Sequence, residues 1–247
     1  MKKILYFGCG LFFLLASYSF LLIVSPDHAN SLTDEDGLIQ TIGAICFSLA
    51  SIITIYLYFK SKSQNKPFFL KTKRNIFYLF LAIYFFICFG EEISWGQRQL
   101  NIETPETLIK NNAQKELNVH NLWIFQSYDN DLSPKTGFKK WITSAKIFAY
   151  IWLLYCVIIP IINEYSSRIR NTFRKFYFPV IPLWIGILFP LNHVISRVFE
   201  NMDRIKNQLL FESVIETKET LFAFLFLMAS ISLYYLYKLS RKETLAK

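Results

Sequence analysis

Apolar residues run along this chain in six long stretches, near residues 4–24, 38–59, 75–92, 141–162, 177–198 and 216–237, each almost free of charge. Each is roughly 16 to 23 residues long, about what a helix needs to cross a bilayer core at 1.5 Å rise per residue. The pattern predicts an all-α, polytopic membrane helical bundle of six transmembrane helices, forming one membrane domain over residues 1–247. The first stretch follows Lys2 and Lys3 as a signal peptide would. Its uncharged run from Ile4 to Val24 is longer than the roughly 7 to 15 residues of an h-region and meets no strong small-x-small cleavage site, so it is expected to stay as a span.

The one long connection is 93–140. Thr104-Pro105-Glu106 reads as a helix start, with Thr104 as cap and Pro105 at the first helical position, and predicts a helix to about Leu117. Ser133-Pro134 and Gly137 predict a turn before the next span. Pro179, Pro182 and Pro190 interrupt span five and predict a kinked helix.

Composition strengthens the membrane reading: 53% of residues are hydrophobic, 18% aromatic and only 18% charged. The net charge of +9 might point to nucleic acid, but its distribution excludes that. Basic residues gather in alternate connections: Lys2 and Lys3; Lys60, Lys62, Lys66, Lys71, Lys73 and Arg74; Arg168, Arg170, Arg174 and Lys175; Lys238, Arg241 and Lys242. The positive-inside rule then puts both termini in the cytoplasm and the 93–140 loop outside. Cys9, Cys46, Cys88 and Cys156 each sit alone in a different span, which predicts buried neutral thiols rather than a disulfide framework or a zinc knuckle.

The topology gathers polar residues at the outer rim. Span three ends in Glu91-Glu92-Ile93-Ser94-Trp95-Gly96-Gln97-Arg98, span five reaches Asn192 and His193, and span six opens with Glu212, Glu216 and Glu219. Span two opens with Glu35-Asp36-Gly37. Helical spacing places His193, Arg197 and Glu200 on one face, and Glu212, Glu216 and Glu219 on another. Glu91, Trp95 and Arg98 share a third face if span three continues as helix, and Glu116, His120 and Trp123 repeat the interval in the outer loop.

Five carboxylates at this rim (Glu91, Glu92, Glu212, Glu216, Glu219) face Arg98 and Arg197. If all share one cavity, either some hold a proton and are fit for acid–base work, or a divalent metal binds. The metal set would be Glu92, His120, His193 and Glu216; the competing reading is a structural rim in which Arg98 pairs with Glu91 and the acids of span six face water. Asn111 to Asn121 is rich in amides, which suit either a hydroxyl-rich ligand or a loop satisfying its own backbone.

Glu35-Asp36-Gly37, the run Gly90 to Arg98, Glu103-Thr104-Pro105-Glu106 and Asn118-Val119-His120-Asn121 together resemble a group of uncharacterised bacterial multi-pass membrane proteins, over roughly residues 34 to 122. The resemblance implies a bacterial inner (cytoplasmic) membrane protein and supplies no activity. Ser94-Trp95-Gly96-Gln97 and the stretch Glu116 to Asn121 are also faintly similar to alkaline ceramidases, whose three zinc histidines include a late His-x3-His pair. Here Arg197 stands where the second histidine after His193 would fall.

The sequence therefore predicts an outward-facing carboxylate, histidine and arginine site, that of a membrane-embedded enzyme acting on a lipid or lipid-linked glycan, with membrane lipids as its partners. Glu91 or Glu92 would be general base or metal ligand, with His193, His120 and Glu216 as further ligands or proton carriers. Arg98 and Arg197 would hold an anionic headgroup, with Gln97, Trp95, Asn118 and Asn121 as further substrate contacts and Asp36, Glu212 and Glu219 as further site acids. Glycine-rich phosphate loops, GxSxG elbows and HExxH helices are absent from the sequence, which removes the commonest enzyme classes. The alternatives are a cation- or proton-coupled binding or transport protein and a non-catalytic partner in a cell-envelope assembly.

Overall fold

The computed structural model describes residues 2–34, 36–61 and 68–245, without the side chains of residues 2 and 241–245. Glu35, Lys62 and Lys66, and the side chains of Lys2, Arg241 and Lys242, lie outside the described residues. Among the described residues the regular structure is all helical: α1 (Lys2–Leu21), α2 (Pro26–Thr33), α3 (Leu38–Lys60), α4 (Ile76–Glu92), α5 (Gln97–Leu100), α6 (Glu106–Asn111), α7 (Ser144–Trp152), α8 (Ile159–Tyr165), α9 (Ser167–Phe176), α10 (Leu183–Glu200) and α11 (Gln208–Leu245). Lys3–Leu21, Pro26–Lys60, Ser144–Tyr165 and Gln208–Ser240 are long and apolar enough to cross a membrane. Ile76–Glu92 with Ser94–Leu100 makes a fifth if the pair, bent by 67°, is one broken span.

The segment expected to form span five is not among these. Pro179 and Pro182 lie in irregular backbone, so α10 starts only at Leu183, and its second half carries Asn192, His193, Ser196, Arg197 and Glu200. Only Pro190 lies inside the helix.

Local sequence sets the other boundaries. Asn75 caps α4, its side-chain oxygen accepting from the Phe77 N–H at 3.2 Å while its amide donates to the Tyr177 carbonyl at 2.7 Å. Between α7 and α8 the helix widens into a π turn over Leu153–Ile158, next to Pro160, which has no N–H to offer the Cys156 carbonyl four residues back. A Cβ on Gly186 would sit 2.1 Å from that carbonyl oxygen, so only glycine lets α10 approach so closely.

α11 is the axis of the bundle, with α1, α2, α3 and α10 packed around it and α4 laid against α3. Phe226 of α11 is the hub, its ring centroid 4.9 Å from that of Phe189, 5.3 Å from Phe85, 5.9 Å from Tyr84 and 6.0 Å from Phe148. Offset and edge-on ring pairs of this kind add about 0.5–1.5 kcal/mol each beyond the area they bury. Cys46 and Cys156 are buried, Cys88 is half-buried and Cys9 is exposed, and all four are free thiols. The exposure of Cys9 corrects the expectation of a buried thiol there: α1 packs through Leu14, Tyr18 and Leu21, and Cys9 lies on its outer face.

Candidate functional site

Span three does not continue as helix past Glu92. Ser94 (φ 45°), Trp95 (φ 54°) and Gly96 (φ 79°) are three successive left-handed residues, and they turn the chain sharply into α5. Such a conformation costs about 1–3 kcal/mol at each non-glycine residue, so surrounding contacts must hold it. They are visible. The Trp95 ring folds back over Gly90, where a Cβ would lie 2.7–2.9 Å from three ring carbons, and its indole N–H donates to Glu91 at 2.7 Å.

Glu91 is an anchor for the outer loop. Besides the indole, its carboxylate accepts from the backbone N–H of Val119 at 2.7 Å and of His120 at 2.8 Å, and lies 3.0 Å from His120 Nδ1. That last contact requires a proton on Nδ1. Glu116, outside the expected site set, is a second anchor: it accepts from Ser94, from Arg98 at 2.8 Å and from Asn118 at 2.7 Å. Arg98 also reaches Asp36 at 3.0 Å, tying the turn before α3 to the loop. Arg98 thus pairs with Asp36 and Glu116, not with Glu91 as the structural-rim reading expected.

The amides bind the loop to itself. Gln97 donates to Thr104 at 2.5 Å and accepts from the Leu117 N–H at 2.7 Å, Asn118 accepts from Asn112, and Asn121 bonds Gln114 and Gln126. The loop helix is α6, Glu106–Asn111, shorter than the predicted run to Leu117. Asn112 ends it by accepting from the Gln114 N–H at 2.9 Å, and Pro105 rather than Thr104 takes the cap position. The Thr104 hydroxyl donates instead to the Lys115 carbonyl at 2.7 Å. Glu116, His120 and Trp123 do not share a helix face, because residues 112–122 are turns.

Under this roof lies a cavity of about 450 Å³. From α4 and the turn it receives Glu91, Glu92, Ser94 and Arg98, and from the loop Glu116, Asn118 and His120. α11 contributes Glu212, Glu216 and Glu219, and α2 contributes Asn30 and Thr33, with Asp34 just after it. Among the described residues seven carboxylates thus line one space against a single arginine. Glu91 and Glu116 are consumed by the loop, and Glu212 accepts from Gln208 at 3.0 Å. Glu92 differs: it is desolvated, has no hydrogen-bond or ion-pair partner among the described residues, and has Glu219, Glu216 and Glu91 as its nearest charges.

His193 and Arg197 are not part of this cavity. Asn192 and Ser196 are fully buried against α1 and α11, and the Tyr18 hydroxyl donates to Asn192 at 2.8 Å. His193, one residue on and so about 100° around the helix, turns instead to Trp152, 6.2 Å between ring centroids. Arg197 pairs with Glu200 at 2.8 Å, and Glu200 also accepts from Ser196 at 2.6 Å and lies 3.7 Å from Lys218. Trp95, Gln97, Asp36 and Asn121 support the roof from outside the lining.

A zinc site like that of the ceramidases does not fit these residues. His193 faces away, which leaves His120 as the one histidine on the cavity lining, and among the described residues no three His, Cys, Asp or Glu groups are placed to hold a metal ion. Asp34, Gln114 and Gln40 also reach the cavity; the acidic run after α2 hinted at Asp34 and the amide-rich stretch held Gln114, while nothing in the sequence pattern singled out Gln40. No family model, curated protein or solved structure matches the chain.

Proposed function

We propose that this is a six-span protein of a bacterial inner membrane, with both termini in the cytoplasm, whose acidic cavity opens on the outer side and takes up a cationic group at Glu92. One observation carries the reading: Glu92 is desolvated, without a partner among the described residues, and looks onto Glu216 and Glu219. A charge removed from water without compensation costs several kcal/mol, and an arriving cation removes that cost. The donor geometry favours a proton or an organic ammonium over a chelated metal. The alternation of basic and acidic connections supports the outward orientation.

A second reading is a membrane-embedded enzyme acting on a lipid or lipid-linked glycan, with Glu92 as general base. It is favoured by the same juxtaposition, since neighbouring carboxylates that cannot all ionise divide into acid and base.

The test is a thermal-unfolding titration of the protein in lipid nanodiscs with methylammonium, Mg²⁺ and Mn²⁺. A ligand that binds only the folded state stabilises it by about 2.7 kcal/mol at a hundred times its Kd. The expected result is a saturable rise in the unfolding midpoint with the ammonium ion that Glu92→Gln abolishes. Equal responses of the wild type and Glu92→Gln to every cation would overturn the reading.

A further inference from the structure

Deeper in the bundle lies a second cavity of about 290 Å³, lined among others by Phe77, Leu81 and Tyr84 of α4, Ile151 and Tyr155 of the α7–α8 segment, and Phe226 of α11. It shares two walls with the acidic cavity. On α4, Phe77, Leu81, Tyr84 and Cys88 recur at intervals of three and four residues, on the face that ends in Glu91 and Glu92. On α11, Glu212, Glu216, Glu219 and Phe226 share one face in the same way.

The rise of 1.5 Å per residue puts Tyr84 about 12 Å below Glu92, and Phe226 about 10 Å below Glu219. Cys88 lies between the two levels, close enough to interact with Tyr84 beneath and with Glu91 and Glu92 above. Along α4 and α11 the lining is therefore acidic at the outer end, in the first cavity, and apolar at the inner end, in the second. Within the apolar part the Tyr84 hydroxyl is buried; the Cys88 thiol one turn on is a weak partner for it, and no well-formed hydrogen bond reaches it among the described residues. A buried hydroxyl with no better partner than a thiol is under-satisfied, and the cavity's lining of rings and aliphatic chains offers it nothing stronger.

We propose that this cleft binds an amphiphile with an ammonium head and a single hydrocarbon chain. The head lies among Glu92, Glu216 and Glu219, and the chain enters the slot between α4 and the α7–α8 segment. A hydroxyl, ester or amide oxygen between head and chain takes the Tyr84 hydroxyl as donor. The inference rests on the cation-binding reading of the acidic cavity and adds the chain. A small polar cation would leave the slot and Tyr84 unused, and an anionic headgroup would meet the surplus of carboxylates.

The experiment is equilibrium binding of methylammonium, hexylammonium, decylammonium and the neutral decanol to the full-length protein in nanodiscs, with empty discs subtracted. Wild type is compared with Glu92→Gln and with two slot-filling variants, Ile151→Trp and Leu81→Trp, so that a folding failure of one leaves the other. Hexylammonium should bind more tightly than methylammonium and decylammonium more tightly still, by up to about fourfold for each methylene drawn from water. Either slot variant should weaken decylammonium about tenfold or more and leave methylammonium unchanged. Glu92→Gln should weaken all three amines, and decanol should bind less tightly than decylammonium. Unchanged decylammonium affinity in a folded slot variant, or equal affinity for decanol, would overturn the amphiphile site. If Glu92→Gln leaves the amines unaffected, the cation reading itself fails, and with it this inference.

Discussion

Replacing Glu91 with alanine removes the acceptor that holds the outer loop on the end of α4. The carboxylate takes four contacts within 3.0 Å: the Trp95 indole, two consecutive backbone N–H groups at Val119 and His120, and the His120 ring. Hydrogen bonds to a charged group contribute about 1.5–3 kcal/mol each when enclosed. Val119 and Trp95 are 48% and 40% exposed, so water recovers part of that loss, and about 3 kcal/mol for the whole clamp is the reasonable figure. That corresponds to an opening equilibrium raised about a hundredfold. The assay is amide hydrogen exchange in nanodiscs, resolved to the peptide spanning 116–122. Exchange at Val119 and His120 should accelerate by about two orders of magnitude while α3 and α11 keep their protection, because those helices pack through Phe47 and Phe226 rather than through the loop. Protection within about threefold of wild type at these two amides would refute the anchoring role of Glu91.

Gly186→Ala should cost about 3 kcal/mol or more, since its Cβ would lie 2.1 Å from a backbone oxygen that cannot swing away; a fall of only a degree or two in the unfolding midpoint would contradict this. Gly90→Ala should cost about 1–2 kcal/mol by pushing the Trp95 ring off Glu91, seen as a red shift in tryptophan emission that is absent in a Trp95→Phe background. With the exposed Cys9 changed to serine, a cysteine at Lys139 should react with an impermeant maleimide in intact cells and one at Thr172 only after permeabilisation; the opposite pattern would reverse the assigned orientation.

Four of the expected membrane helices, and a fifth if the bent pair is one span, were legible because long uncharged runs admit few other solutions, and the ends of α3 and α4 fall within a residue or two of the expected positions; the segment expected as span five was not, because its prolines delay the helix to Leu183 and polar residues fill its second half. The acids of α11 were legible for a similar reason: Glu212, Glu216 and Glu219 lie on a continuous helix, where spacing fixes direction. The roof was not. Ser94 and Trp95 in left-handed backbone break the helical register that would have aligned Glu91, Trp95 and Arg98, and no local propensity announces two such residues in a row. Glu116 and His120 lie in turns held by distant partners, so their i, i+4 spacing carried no geometric meaning. His193 was misplaced by rotation rather than by depth. It lies on α10 as expected, but Tyr18 and α11 claim the adjacent Asn192 and Ser196, and that fixes which way the helix faces.

The central claim is that the Glu92 carboxylate, once ionised, finds no partner among the described residues. The most direct measurement is the unfolding free energy of Glu92→Gln against wild type, without added cations and at about pH 9 so that the carboxylates are ionised. Most substitutions of a half-buried charge destabilise by breaking a pair. Here the account predicts the reverse, a glutamine variant more stable than wild type by about 1–3 kcal/mol, with the gain shrinking as an ammonium ligand is added. A glutamine variant clearly less stable than wild type would mean that Glu92 is already compensated within the fold, and the cation site would fall with it.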